Sequence, residues 1–598
     1  MPVTDAGRGD SMSQVKNRKT TLKRMWKYGK KYKVYLFFVF FCSIFGNLLL
    51  IFAPLLTGKA IDSMRSAGKV DFPVLINLII TLLILYMLSS LFQWLMSIFS
   101  NIAANRTIHD LRKDAFHKLN TLPIRYFDNT PHGDVISRMT NDLDAVSEGL
   151  FQGVTQIMSA IVIITGCFVF MLSISPFITL AVIIITPFCF LLASFIAKHS
   201  KKMFAEQSKT VGELNGYVEE LIGNQKIVKA FGYEKHSFQQ FQEINQRLYD
   251  CGQKAQWYSS LPNPTTRLVN NIAYVAVTVL GAWLTIRGNF TVGKIASFIT
   301  YSNQFAKPIN EVTSLTTQIQ AAMASADRIF VFLDEQSEPE ETKDCKELIG
   351  LRGEVRFEEV DFSYKSEIPL IKNFHLTVSP GDTIAIVGPT GSGKTTLVNL
   401  LMRFYDVNVG HIMVDGDNIY QVSKKSLRRN IGMVLQESWL FAGTIAENIA
   451  YGKPNATREA ITRASREANA DGFIRRMKHG YDTILEEDGG NLSQGQRQLL
   501  TIARVILMNP PMLILDEATS SIDTRTELKI QQALKTMMQG RTSFVIAHRL
   551  STIKEADTIL VLKDGNIIEQ GSHNQLLNEK GFYYNLFQSQ FADTSEKT

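Results

Sequence analysis

Residues 34–56 carry no acidic or basic side chain. At about 1.5 Å of rise per residue, a helix of that length crosses a hydrocarbon layer about 30 Å thick. Five further apolar runs follow, at 74–99, 152–173, 177–197, 268–286 and 291–322, the last being the least apolar. All of them lie in the N-terminal part of a chain of 598 residues, so the overall hydrophobic content of 45% averages an apolar half with a polar one. A chain this long exceeds a single compact core and should divide into domains.

Orientation follows from charge. Lys16, Arg18, Lys19, Lys23, Arg24, Lys27, Lys30, Lys31 and Lys33 precede the first run, which keeps the N-terminus in the cytoplasm and, with six spans, the C-terminal half as well. The first run lacks a small-residue cleavage site and reads as a retained helix, and Asp5 and Asp10 argue against a transit peptide. With the first span starting near Val34, no N-terminal peptidase domain is expected. The net charge of +7 is small for the length, and its basic residues are not interleaved with aromatics, which excludes nucleic acid as a partner. Cys42, Cys167, Cys189, Cys251 and Cys345 show no paired spacing, so neither a disulfide framework nor a zinc site is expected.

The connections after the second and fourth runs, 100–151 and 198–267, are long and keep helical periodicity, as in Leu111, Phe116, Leu119 and Leu122. The helices should therefore continue well past the membrane. Two short segments within these loops, 121–128 and 217–226, are candidates to press on a cytoplasmic domain; the alternative is that both are solvated hairpins. In the sixth run, Thr300, Asn303, Lys307, Asn310, Ser314 and Thr317 recur every three or four residues and share one helical face. Such a face is costly against lipid and points to a pathway lining. Alternatively the helix leaves the membrane there, with Lys307 and Glu311 as an exposed pair.

An acidic, polar stretch at 334–351 reads as a linker. Beyond it, the apolar run 383–387 leads directly into Gly388-Pro389-Thr390-Gly391-Ser392-Gly393-Lys394-Thr395-Thr396 and an amphipathic helix. This is a phosphate-binding loop in its strand–loop–helix setting. The glycines let backbone N–H groups turn toward phosphate oxygens at a helix N-terminus. Lys394 supplies charge to the β- and γ-phosphates of ATP, and Thr395 a hydroxyl to Mg²⁺. Further on, the apolar run 512–515 ends in Asp516 and Glu517, which reach the loop if the two strands are neighbours. Asp516 would then hold Mg²⁺ and Glu517 would polarise the attacking water.

Asn491-Leu492-Ser493-Gln494-Gly495-Gln496 resembles the signature motif of ABC transporters, and the resemblance extends along essentially the whole chain. It implies a multidomain fold: an all-α six-helix transmembrane domain at 34–325 after a cytoplasmic segment 1–33, a linker at 326–350, and an α/β P-loop ATPase domain of ABC type at 351–598. It further implies that Ser493, Gly495 and Gln496 serve ATP held by the opposite subunit, so that two nucleotide domains must pair. By the same resemblance Tyr364 stacks on adenine, Gln436 contacts Mg²⁺ and water, Asp523 communicates between sites, and His548 contacts the γ-phosphate. The long-loop segments then resemble coupling helices, and the fused order resembles exporters. The implied activity is Mg-ATP hydrolysis driving export of small amphipathic compounds, multidrug-type, across the plasma membrane. Gln494 replaces the usual glycine of the motif. Beside intact Glu517 and His548 this fits an asymmetric heterodimer with a second half-transporter; a homodimer exporting lipid or lipopeptide is the alternative. A non-pumping channel or sensor is a more distant one. A soluble ATPase of DNA repair or translation is excluded by the six spans.

Overall fold

The structure is a computed structural model that describes residues 20–64, 70–288, 290–339, 341, 345–365, 368–435, 438–486, 489–516, 523–547 and 550–595. Some further side chains within helices, those of Cys189, Asn310, Glu311, Ser314 and Thr317 among them, are outside the description. The chain divides into two compact units, one of Met1–Leu122 with Thr130–Gln336, the other of Pro123–Asn129 with Ser337–Thr598.

The first unit is helical. Its main elements are α1 (Lys33–Asp62), α2 (Phe72–Thr121), α3 (Leu143–Ile174), α4 (Pro176–Gly223), α5 (Glu234–Ser260), α6 (Pro262–Ile286) and α7 (Val292–Asp334). Among the described residues, four helical stretches are long and apolar enough to cross a membrane: Thr20–Asp62, Phe72–Thr121, His132–Ile174 and Arg267–Ile286. The fourth and sixth expected spans fall on α4 and α7, parts of whose side chains are not described.

Local chemistry sets the helix starts. Asp71 caps α2 by accepting from the Val74 amide at 3.3 Å, Ser175 caps α4 through Ile178, and Thr291 caps α7 through Lys294. A single residue, Ser175, joins α3 to α4. At 50 residues, α2 is about 75 Å long, more than twice a hydrocarbon layer. The membrane helices therefore continue into the long connections.

Within the apolar zone, Ile51, Cys167, Met171, Ile178, Val182, Val277, Phe298 and Tyr301 form one core drawn from five helices. Polar groups inside it are satisfied locally. The Tyr301 hydroxyl donates to the Ile51 carbonyl at 2.7 Å, and Ser89 donates to Gly46 O at 2.8 Å. Small residues permit the closest approaches: a Cβ on Gly58 would lie 2.4 Å from the Gly293 carbonyl oxygen. By contrast, Ile79, Leu83, Ile84 and Met87 of α2 are exposed, as a lipid-facing surface requires. Cys42, Cys167 and Cys251 are buried, and among the described residues no cysteine forms a disulfide.

Two expectations shift. The second short loop helix is Gln225–Ala230, whereas most of 217–226 belongs to α4. The first agrees better, as a helix at Ile124–Asn129. The linker is also shorter than 326–350, because α7 continues to Asp334, its buried Ile329 and Phe330 packing with Leu111 and Leu143.

The second unit is α/β. A six-stranded sheet has the order β12-β11-β3-β10-β9-β6, and a four-stranded sheet places β2 (Ile371–Val378) beside β1 (Val355–Phe362), then β4 (Val409–Val414), then β5 (Asp417–Asn418). In the larger sheet β3 (Thr383–Val387), β6 (Ile431–Val434), β9 (Met512–Asp516), β10 (Thr542–Ile546) and β11 (Thr558–Lys563) are mutually parallel, and β12 (Asn566–Gly571) closes the edge antiparallel. Their side chains alternate between two cores, Ala385, Val387, Leu513, Leu515 and Val545 on one face, Ile384, Ile386, Ile514, Phe544 and Ile546 on the other. Covering on both faces explains why these strands read as unbroken apolar runs. Within this unit Arg125 donates to the Tyr364 carbonyl at 2.5 Å, and the Tyr405 hydroxyl donates to Asp128.

In the first unit, Asp142 is buried and Arg328 donates to it from Nε at 2.9 Å and from a terminal nitrogen. Burial opposes the charge of Asp142, but the hydrogen bonds from Arg328 and Ser325 outweigh it and hold its carboxyl below the usual range. A lowered folded-state pKa contributes stability that is present above the ordinary carboxylate pKa of about 3.9 and is lost as pH falls below it. Arg328→Ala leaves a buried carboxylate unpaired and should destabilise this unit by about 2 kcal/mol at neutral pH. The check is the apparent melting midpoint in detergent; Arg328→Ala with Asp142→Asn should recover much of the loss, and a midpoint unmoved by Arg328→Ala would rule the pair out as a stabilising contact.

Candidate functional site

The loop after β3 is held in a shape that only glycine tolerates at several points. Gly388, Gly391 and Gly393 have φ of 154°, 84° and 99°. A Cβ at Gly388 would also lie 2.2 Å from the Leu562 carbonyl oxygen. Pro389, Thr390 and Gly391 form an exposed tip, whereas Ser392 and Gly393 are buried beneath it. Helix α8 (Lys394–Leu401) starts immediately afterwards and presents its unpaired first amides to the loop.

Lys394 bends back over this cradle, donating from Nζ to Gly388 O at 2.8 Å and to Pro389 O at 2.9 Å. Burial pushes its ammonium below the ordinary lysine range, and the charge of Asp516 acts in the opposite sense. An entering polyanion would return the countercharge that burial removes. The buried Ser392 hydroxyl has no hydrogen-bond partner among the described residues. An orphaned hydroxyl, a half-buried ammonium and a glycine cradle at a helix N-terminus are the donor set that phosphate oxygens require, so the residues fit ATP. Thr395, at the second position of α8, is exposed.

Asp516 ends β9, but β9 is not beside β3. Strand β10 lies between them, pairing Ile546 with Asp516 on one side and with Ile386 on the other. The two strands are therefore not the neighbours that the sequence reading made a condition. Two strand spacings, about 10 Å, separate the strand ends, and the loop and carboxylate share the same carboxyl edge. Glu517, Gln436 and His548 lie outside the described residues.

Tyr364 is half-buried; its hydroxyl donates to Thr396 at 3.3 Å, and its ring meets Phe362 and Tyr405 edge-on, each at 4.9 Å. It thus fastens the first turn of α8 to the smaller sheet. Ser493 caps α9 (Gln494–Met508) in a reciprocal box: its hydroxyl accepts from the Gln496 amide at 3.3 Å, and the Gln496 side chain accepts from the Ser493 amide at 3.0 Å. Gly495 is buried and Gln494 exposed. Asp523 caps α10 (Thr524–Met538), and the Thr526 amide it accepts from at 2.9 Å holds its carboxyl below the usual range.

One supporting residue was missed in the sequence. Gly565 donates its amide to Ser392 O at 3.2 Å, clamping the base of the phosphate loop from the β11–β12 turn. Asp564 and Gly565 have φ of 48° and 77°, as a two-residue hairpin requires. The Asp-Gly pair between apolar strands was the available signal.

A parallel sheet with a glycine phosphate loop at its carboxyl edge, following a bundle of membrane-length helices, defines a membrane transporter driven by a P-loop ATPase. Comparison makes this specific. Residues 36–309 match the ABC transporter transmembrane region and residues 371–520 match the ABC transporter family. The fatty acid ABC transporter ATP-binding/permease protein of Mycobacterium bovis is 42% identical over 90% of this chain and 84% of its own length. The ATP-dependent lipid A-core flippase of Syntrophus aciditrophicus is 34% identical, over 96% of this chain and 95% of its own. The solved structure of a bacterial Atm1-family ABC exporter with ATP bound superimposes with a TM-score of 0.75 at 29% identity, covering 94% of this chain and 98% of that one. The chain belongs to the ABC transporter family, as an exporter half-transporter whose membrane region is fused to a transport-coupled ATPase domain.

A Cβ at Gly565 would sit 1.4 Å from the Leu370 carbonyl oxygen at a positive φ. Gly565→Ala should therefore displace the turn, release Ser392 O and weaken ATP binding at least about tenfold, measured by fluorescent-nucleotide titration of the full chain. Unchanged affinity would show that the phosphate loop keeps its shape without this clamp.

Proposed function

We propose that this protein exports amphipathic or hydrophobic compounds, multidrug-type, across the plasma membrane by alternating access, as one half of a dimer. The observation that carries the reading is the face of α7. Thr300, Asn303 and Lys307 are exposed while Ser297, Phe298, Tyr301 and Ser302 of the same helix are buried, so the polar stripe turns away from the packed core. A polar stripe on an otherwise apolar bundle suits a wet pathway that takes molecules with both apolar and polar parts.

In the nucleotide domain, the proposed roles follow from the donor set. Gly388 to Thr396 hold the phosphates of ATP, with Tyr364 against adenine. Thr395, Gln436 and Asp516 ligate Mg²⁺, which supplies charge neutralisation when bound. Glu517 accepts a proton from water, His548 steadies the γ-phosphate, and Ser493, Gly495, Gln496 and Asp523 act on the nucleotide of the opposite subunit. Gln494 in the motif supports a heterodimer in which one composite site is the weaker. A second reading, a lipid exporter acting as a homodimer, draws on the fatty acid and lipid A-core substrates in the names of the two relatives.

The discriminating measurement is Mg-ATP hydrolysis by the chain in lipid, alone and with a candidate partner subunit. Activity that appears only with the partner, and is lost in Glu517→Gln by at least about 100-fold, is the expected outcome. Glu517-dependent activity of the chain alone would instead establish a working homodimer.

A further inference from the structure

Helix α2 carries an exposed polar face inside its apolar run. Tyr86, Ser90, Gln93, Ser97 and Asn101 follow one another at intervals of four, three, four and four residues, so they share one helical face, and all five are exposed. The first four lie within the run 74–99. The neighbouring sector of the helix is different, because Met87 and Leu91 are exposed there and apolar. Two turns before Tyr86, on the polar sector's own line, the exposed residue is Ile79. The surface of α2 therefore turns polar near Tyr86, and on one side only.

An amide or hydroxyl left in hydrocarbon costs free energy, and polar side chains of spanning helices turn toward protein or a water-filled cavity. Gln93 reaches the packed core only at its edge. Its amide nitrogen donates to the Ser89 hydroxyl at 3.5 Å, and Ser89 donates to Gly46 O at 2.8 Å, yet Gln93 itself stays exposed.

The outer ends of the helices give the two polar stripes a common origin. Asp62, the last residue of α1, accepts from the Gly293 amide at 2.8 Å, and the Ser63 carbonyl accepts from the Asp71 amide at 3.3 Å. The first turns of α2 and α7 thus start at one level, beside the same end of α1. Counted from Val292 along α7, Thr300 to Lys307 lie about 12 to 22 Å inward. Counted from Phe72 along α2, Tyr86 to Ser97 lie about 21 to 37 Å inward. Across a hydrocarbon layer of about 30 Å, the α2 stripe therefore begins at the depth where the α7 stripe ends.

We propose that Tyr86, Ser90, Gln93 and Ser97 line the cytoplasmic half of the export pathway, as a water-facing surface of neutral hydrogen-bonding groups. The inference rests on the reading of α7 as a pathway lining and adds to it a second helix and a depth.

The test is thiol labelling of the nucleotide-free full chain in phosphatidylcholine nanodiscs, with its five cysteines replaced and single cysteines introduced. The probe is the membrane-impermeant 2-sulfonatoethyl methanethiosulfonate. Ser90→Cys, Gln93→Cys and Ser97→Cys should react at least about tenfold faster than Met87→Cys and Leu91→Cys on the lipid sector, and Asn303→Cys should react as the stripe does. Monodisperse elution identifies the folded variants. Should the cysteine-free chain not fold, the buried Cys42 and Cys167 are retained and their own slow reaction is subtracted. Fast labelling at Asn303→Cys with stripe rates equal to those of the lipid sector would overturn the assignment of α2 and leave the reading of α7 standing. Slow labelling at every position would overturn both. A slow stripe in which Gln93→Cys forms a disulfide-linked dimer on oxidation would make this face a seam between subunits and overturn the pathway assignment.

Discussion

Peptide groups inside a hydrocarbon layer find no water, and this one constraint shapes the first half of the molecule. It forces every spanning segment into a helix whose backbone bonds close internally. It also leaves little apolar driving force between helices, so association depends on close packing and buried hydrogen bonds. The glycine contact of α1 with α7, the Ser89 bond to Gly46 and the Tyr301 bond to Ile51 are the local solutions. At about 75 Å, α2 extends well beyond a hydrocarbon layer, so one helix packs both inside it and outside it. Beyond the apolar run, a core of Leu111, Leu143, Ile329 and Phe330 joins α2, α3 and α7.

The second half obeys a different constraint. Its sheet is buried on both faces, and its chemistry is confined to the carboxyl edge, where strands end and helices begin. The phosphate loop needs left-handed backbone at Gly391 and Gly393, and that conformation persists because neighbours fix it. Gly565 holds it from the β11–β12 turn, and the Tyr364 hydroxyl fastens the helix that follows. The Tyr364 carbonyl in turn accepts from Arg125, and Tyr405, which packs on the Tyr364 ring, bonds Asp128. One aromatic cluster thus links the segment Ile124–Asn129 to the first turn after the phosphate loop.

What the sequence disclosed followed from periodicity and from motifs that are local. Apolar run length sufficed for the helices, and the glycine spacing sufficed for the phosphate loop in its strand–loop–helix setting. Strand order was not legible, because β10 is inserted between β3 and β9 although it comes last of the three in sequence, and nothing local to Asp516 records that neighbour. The second loop helix was misplaced for a related reason: residues 217–223 carry good helix formers and simply continue α4, so composition gives no boundary. The linker was overextended because Ala326, Ile329 and Phe330 are buried by distant residues, a fact of packing that spacing alone does not reveal.

The tip of α9 bears on the symmetry of the assembly. Ser493 and Gln496 satisfy one another in a capping box, which commits the serine hydroxyl and the Gln496 amide to the helix itself. The amides of Gln494 and Gly495 occupy the first two positions of α9, where no intrahelical acceptor exists, so they are the donors available to a phosphate. Both are main-chain groups. Placing glutamine where glycine is usual therefore keeps the donors and alters only what surrounds them, adding an exposed amide side chain beside the anion's approach. The asymmetric reading rests on that steric and solvation change alone.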